Sequence, residues 1–403
     1  MILLRLTLLL FITGLGCSPD SRPMAESAKL RASDGEANNY FGYVVATDGA
    51  RAIVGAYGDD DRGANAGAAY VFAQTNHKWK EEAKLIPLQA RPNEQVGMAV
   101  AIEGDFAWVG SRGDIEAGPQ TGSAYVFRRF SDGWVQVGRF RSVNSDFDDQ
   151  YGLSIAAGGN WAAVGAYGDP QRGHDAGSVY LYKLENDVWQ FSEQLYAPRG
   201  GAADYFGYSV DISGDRLIVG AFGDDDRGNR AGAAYIFRRV ADAWEPEIKL
   251  TARDGGKHNL FGHSVALSGK LALVGAHGNH SLGRFSGAAY LFARSQRGWV
   301  MRQKLEAPDR RANKYFGFSV DISPKRILIG ARGDSHDRIL QAGAAYTFTR
   351  SGSKYGNPTK HIAQLSSELD FLGRSVAISD GFGLAGAHGD DDTGSLSGSV
   401  YAF

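Results

Sequence analysis

Cysteine is almost missing: one residue in 403, so no internal disulfide can staple the fold. There is no surplus of positive charge either. The chain carries 43 Lys+Arg against 45 Asp+Glu, a formal net charge of −2, which leaves no basic footprint and argues against nucleic acid as the main partner. No G-x-S-x-G elbow, catalytic cysteine, Walker loop or dinucleotide-binding glycine loop is present, so nucleophilic and nucleotide chemistry find no footing. Past the first seventeen residues no apolar run is long enough to cross a bilayer. With charge at 22% and hydrophobic residues at 43%, wholesale disorder is excluded as well.

What is present begins with Arg5 and a short apolar run from Leu6 to Leu15, broken by Thr7, Thr13 and Gly14. It is too short to span a membrane and suits a secretory h-region. The single Cys17 ends this run. The segment resembles a bacterial lipoprotein signal, which implies cleavage before Cys17 and lipidation of its thiol. Gly14 departs from the leucine preferred there. Ser18, where an Asp would hold the protein at the inner membrane, implies an outer-membrane or cell-surface lipoprotein, with a periplasmic or secreted protein as the other address. The expected organisation is a signal peptide over 1–17, a short linker over 18–27 and one domain over 28–403.

Glycine is abundant, at 54 residues, and its placement decides the fold class. One column reads Gly42, Gly97, Gly152, Gly207, Gly262, Gly317 and Gly373; a second reads Gly55, Gly110, Gly165, Gly220, Gly275, Gly330 and Gly386. Tyr70, Tyr125, Tyr180, Tyr235, Tyr290, Tyr346 and Tyr401 keep the same step of 55, lengthened once by a single residue. Trp79, Trp134, Trp189, Trp244 and Trp299 follow it too. Within one copy, Phe206 to Ile212 alternates as a strand does, and three further strand-like runs follow up to Ala252. Seven four-stranded antiparallel copies predict an all-β, seven-bladed β-propeller. The last copy stops after its third strand, so residues 28–33 are expected to supply the fourth and close the ring. Small residues two positions after the first glycine, such as Ala99, Ser209 and Ser319, fit close packing between blades.

Phe41-Gly42 followed by Val54-Gly55-Ala56, repeated sevenfold, resembles the FG-GAP repeats of the integrin α-subunit propeller and of bacterial surface proteins. The integrin Ca²⁺ loops lie between the first two strands, where this chain has short turns such as Thr47 to Ala50, so those sites do not carry over. The bacterial variety, with a Gly-Asp-Asp-Asp run after strand two, is the closer likeness. That likeness names no partner; together with the Cys17 segment and the lack of catalytic motifs, the expected function is a non-enzymatic, lipid-anchored scaffold that binds a surface or envelope protein or a glycan.

Calcium is the candidate cofactor, at the triplets Asp59-Asp60-Asp61, Asp224-Asp225-Asp226 and Asp390-Asp391-Asp392. Against it, consecutive side chains diverge, and the D-x-D-x-D-G spacing is missing. The plainer expectation is that the first Asp caps a turn. Tyr57, Tyr167, Phe222 and Arg332 are the candidate partner contacts on the upper rim. His258, His263, His277 and His280 cluster in blade five and raise transition-metal binding, although His263 sits in a packing column. Arg112-Gly113-Asp114 and Arg332-Gly333-Asp334 are explained by the repeat. The rival functional class is an envelope hydrolase or lyase acting on polysaccharide or phosphodiester, and a third is a structural subunit of an envelope assembly.

Overall fold

The computed structural model describes residues 27–76, 78–114, 120–143, 148–309 and 311–403. The expected signal segment over 1–17, Cys17 included, and residues 18–26 lie outside the described residues.

Among the described residues every regular element is a strand, and the strands form seven four-stranded antiparallel sheets. Blade four is representative, with strands Ser209–Ser213, Arg216–Ala221, Ala233–Val240 and Ala243–Leu250 in consecutive order. The first strands of all blades line a central channel that holds a cavity of 310 Å³. A β-branched residue from each, Val45, Val100, Ile155, Val210, Val265, Val320 and Val376, contributes to its wall. The apolar core lies between blades rather than at the centre. Trp161 and Leu181 of blade three pack with Leu217, Val219, Phe237 and Trp244 of blade four in one buried cluster.

Two backbone devices hold neighbouring blades together. A Cβ on Gly220 would overlap the carbonyl oxygen of Gly262, and one on Gly386 would overlap that of Gly42, so these contacts admit only glycine. Outside the glycines, each loop between strands two and three is hydrogen-bonded to the connection that enters the next blade. His258, Leu260 and Phe261 donate their amides to Asn229, Arg230 and Ala231 at 2.8, 3.2 and 3.1 Å. The predicted small column does more than stay small: the Ser264 and Ser319 hydroxyls accept the amides of Val320 and Val376 in the following blade, both at 3.0 Å.

Ring closure follows the sequence expectation. Ala28–Leu30 pairs antiparallel with Ser399–Ala402, Leu30 facing Val400. The pairing begins one residue early, since Ser27 donates its amide to the Ala402 carbonyl at 2.7 Å, and it ends at Leu30, short of the expected residue 33. Leu30 is 3% exposed, and Lys29 reaches Asp390 at 2.8 Å. A chain starting at Gly35 loses this strand and bares the edge of the last blade. Loss of Leu30 burial alone removes about 2 kcal/mol, so calorimetry should show a lower unfolding midpoint than for a chain starting at Ser18. Equal midpoints would contradict the closure.

Candidate binding face

The loops between strands two and three and those between blades share one face of the disc. Beneath them each blade carries a buried polar knot. In blade one, Asp59 accepts the Tyr70 hydroxyl at 2.8 Å and pairs with Lys84 at 2.7 Å. Lys84 also meets Asp34 at 2.8 Å and Asp61 at 2.7 Å. Burial works against the Lys84 charge, but hydrogen bonds to three carboxylates outweigh it and raise its pKa above the usual lysine range. Blade four repeats this with Asp224, Asp226, Tyr235 and Lys249. Blade seven does so with Asp390, Asp392, Tyr401 and Lys29, Arg31 joining at Asp392.

The triplets therefore have a definite geometry. Their first and third carboxylates converge on a lysine ammonium. Asp60 and Asp391 turn back to accept the amides of Asn65 and Leu396 at 2.7 and 2.8 Å, while Asp225 is exposed. Asp59, Asp224 and Asp390 also accept the amide two residues on, at 3.2, 3.3 and 3.2 Å, the turn-capping bond. Among the described residues no group of three or more His, Cys, Asp or Glu is arranged to hold a metal ion.

A second polar column escaped sequence reasoning: Asn39, Glu94, Asp149, Asp204, Asn259, Lys314 and Asp370, all buried. Its signal was its 55-residue step and its pairing with the first. Asn259 meets Asn279 at 2.9 Å, and Lys314 pairs with Asp334. Burial, with Asp224 nearby, pushes Asp204 up to about 6; burial, with Asp390 nearby, pushes Asp370 up to about 7.

The rim candidates stand together at the channel mouth. Tyr57, Tyr167, Phe222 and Arg332 are all half-buried. Tyr57 stacks on Tyr40 at 4.7 Å between ring centroids and meets Tyr43 edge-on at 4.6 Å. Phe222 stacks on Tyr205 at 4.9 Å and meets Tyr208 at 4.5 Å, and Tyr167 also packs on Tyr208. Arg332 lies 4.2 Å from the centroid of Phe318. Tyr43, Tyr208, Phe318 and Arg374, the residues directly after the first-strand glycine, complete this cup. Sequence reasoning treated that column as packing and missed its place at the mouth.

Of the histidines, the structure joins His263 and His277, with ring centroids 4.2 Å apart. Burial first, with Arg374 and Arg332 adding to it, drives the His263 pKa down to about 3. His258 and His280 are exposed, and His280 accepts the Phe285 amide at 3.0 Å. In the two Arg-Gly-Asp tripeptides the aspartates are sequestered: Asp114 accepts the Ser123 hydroxyl and pairs with Arg139 and Arg141, and Asp334 pairs with Lys314 and Lys360.

The FG-GAP repeat family model matches residues 24–72, 79–127, 134–182, 189–237, 244–292, 299–348 and 360–403. The chain belongs to the FG-GAP repeat family. Each matched unit after the first runs from the fourth strand of one blade to the third of the next. No curated protein matches the chain. Among solved structures it is similar to a chain of the mitotic checkpoint complex, at TM-score 0.55 and 12% identity over 98% of both chains. It is also similar to a Bacteroides uniformis protein described as a 6-phosphogluconolactonase, at TM-score 0.52 and 12% identity, covering 81% of this chain and 86% of that one. At such identity the likeness is one of fold alone.

Two outcomes follow from the knots. With lysines among the carboxylates, titrating Ca²⁺ into the protein after EDTA should leave the melting midpoint unchanged; a site held at a hundredfold its Kd would add about 2.7 kcal/mol. Asp204 and Asp370 hold their protons more tightly folded than unfolded, where an Asp titrates near about 4. Their contribution is therefore fully present below about pH 4 and is lost as pH rises through 6 to 7. The midpoint should fall between about pH 4 and pH 7. Asp204→Asn with Asp370→Asn, the residue already present at Asn39 and Asn259, should make that fall shallower, the buried channel carboxylates Asp211 and Asp321 keeping part of it; an unchanged slope would contradict the assignment.

Proposed function

We propose that this chain is an exported, lipid-anchored binding scaffold, without catalytic activity, that captures an envelope protein or a glycan on its loop face. The observation that carries this reading is the aromatic and arginine cup at the channel mouth, since such side chains are the usual anchors of interfaces. The abundant carboxylates do not favour hydrolase or lyase chemistry. Those of the loop face repeat blade by blade, and most are bonded to lysine, arginine, tyrosine or backbone amides. The two in the channel, Asp211 and Asp321, are each held by backbone amides and shifted in the same direction, whereas a catalytic pair needs one environment that sets two carboxyl pKa values apart. Export and anchoring rest on the segment ending in Cys17, and the short stretch before Ser27 would keep the disc near its membrane.

Full chain immobilised in detergent should capture a defined component from a solubilised envelope fraction. Tyr57→Ala with Phe222→Ala should abolish capture while the chain still melts cooperatively. Val137→Lys, at an exposed position on the outer edge of blade two, should leave capture intact. The reverse pattern would refute the loop face as the binding surface, and Cys17→Ala should move the chain from the membrane to the soluble fraction.

A further inference from the structure

The buried charges beneath the loops are paired in the knots, but two half-buried guanidinium groups at the channel mouth are not. Arg332 and Arg374, from blades six and seven, lie against the same ring, Phe318, at 4.2 and 5.5 Å from its centroid. Arg374 also sits 3.7 Å from the centroid of Tyr43 across the ring closure. Among the described residues neither guanidinium has a carboxylate partner or a hydrogen bond from its head, and the buried Nε of Arg332 has no acceptor. Two like charges held together without a counterion are costly in a half-buried place. By contrast Arg216, on the second strand of blade four, is held by both Asp215 and Glu247.

A third unpartnered group packs against the same ring. His277 is 7% exposed, packs 5.1 Å from Phe318, and its buried Nδ1 has no partner. Burial keeps its imidazole uncharged at neutral pH, with His263 and Arg332 adding to that effect, so it can offer an N–H without adding charge. The carboxylates that line the channel, Asp211 and Asp321, stand three residues deeper on their strands than Tyr208 and Phe318, about 10 Å away. Burial pushes them up to about 8 and about 7.

We infer that the mouth is a binding site for the acidic group of an anionic saccharide, with Arg332 and Arg374 taking the carboxylate or sulfate, His277 adding an N–H, and the aromatic cup around them meeting the sugar ring. Guanidinium groups match such anions through paired N–H donors. Aromatic faces suit the C–H surface of a pyranose. This inference rests on the binding-scaffold reading and names its ligand class.

The test is isothermal titration of the full chain with oligogalacturonate, with neutral oligogalactose and with oligoglutamate of equal charge. Oligogalacturonate should bind, neutral oligogalactose should not, and oligoglutamate should bind at least tenfold more weakly. Arg332→Gln and Arg374→Gln should each weaken oligogalacturonate about tenfold or more, and the double variant should abolish it. Neither substitution should lower the melting midpoint, because each relieves a like-charge contact. A lowered midpoint with unchanged affinity would make the arginines a structural clasp and overturn the site. Equal binding of oligoglutamate would overturn the saccharide assignment in favour of an acidic peptide. A chain that captures an envelope component but ignores oligogalacturonate leaves the scaffold standing and overturns this inference; one that captures neither overturns both.

Discussion

The contact between glycine backbones of adjacent blades sets the geometry on which everything else depends. The second-strand glycine of each blade lies against the carbonyl of the first-strand glycine in the next, with no room for a Cβ. The same first-strand glycines turn at positive φ, +91° for Gly207 and +88° for Gly262, a conformation other residues adopt only with strain. Within a blade the partners are also joined, as when Gly207 donates its amide to the Gly220 carbonyl at 3.1 Å. Glycine thus follows glycine around the channel, and the spacing between sheets is fixed before any side chain is considered. Large apolar residues farther out fill the gap so defined, which is why each core cluster spans two blades.

With blade spacing fixed, charge is settled locally. The Tyr column of strand three stands opposite the Lys column of strand four in register, Tyr70 with Lys84, Tyr235 with Lys249, Tyr346 with Lys360. That register brings the ammonium beneath the loop whose first Asp it neutralises. A buried ion pair adds little net stability against an apolar alternative, but it is costly to break. The knots therefore specify the loop conformation more than they stabilise the fold.

Much of this was legible in the sequence, because a period of 55 reports on backbone geometry that side-chain chemistry cannot disguise. The glycine columns, the alternation from Phe206 to Ile212 and the truncated last copy were sufficient for blade number, strand order and closure. The knots were less legible. Their acidic half stood out as Asp triplets, while the Lys29, Lys84, Lys249 and Lys304 half lay scattered on fourth strands and becomes meaningful only once Tyr and Lys are opposed. The rim residues were read from the sequence as loop-face side chains, with nothing to show that they are half-buried. Tyr57 and Phe222 sit beside an acidic loop that looks exposed in sequence, yet the loop folds inward onto the next blade and carries them to the channel mouth.

Repetition also separates scaffold from function. A feature found in every blade, such as the glycine contact or the capped Asp, is required by the fold seven times over. A feature found once is not. The column at the mouth reads Tyr43, Met98, Leu153, Tyr208, His263, Phe318 and Arg374, with one guanidinium among apolar and aromatic neighbours. The column beside it places Arg332 against that residue, and His277 one blade before it. In other blades these places hold Tyr, Met, Leu, Phe or His, and the one other arginine, Arg112, is hydrogen-bonded to Gln120 at 2.7 Å. The unpaired charge is therefore surplus to what seven blades need in order to close, and it lies where seven strands converge on one opening.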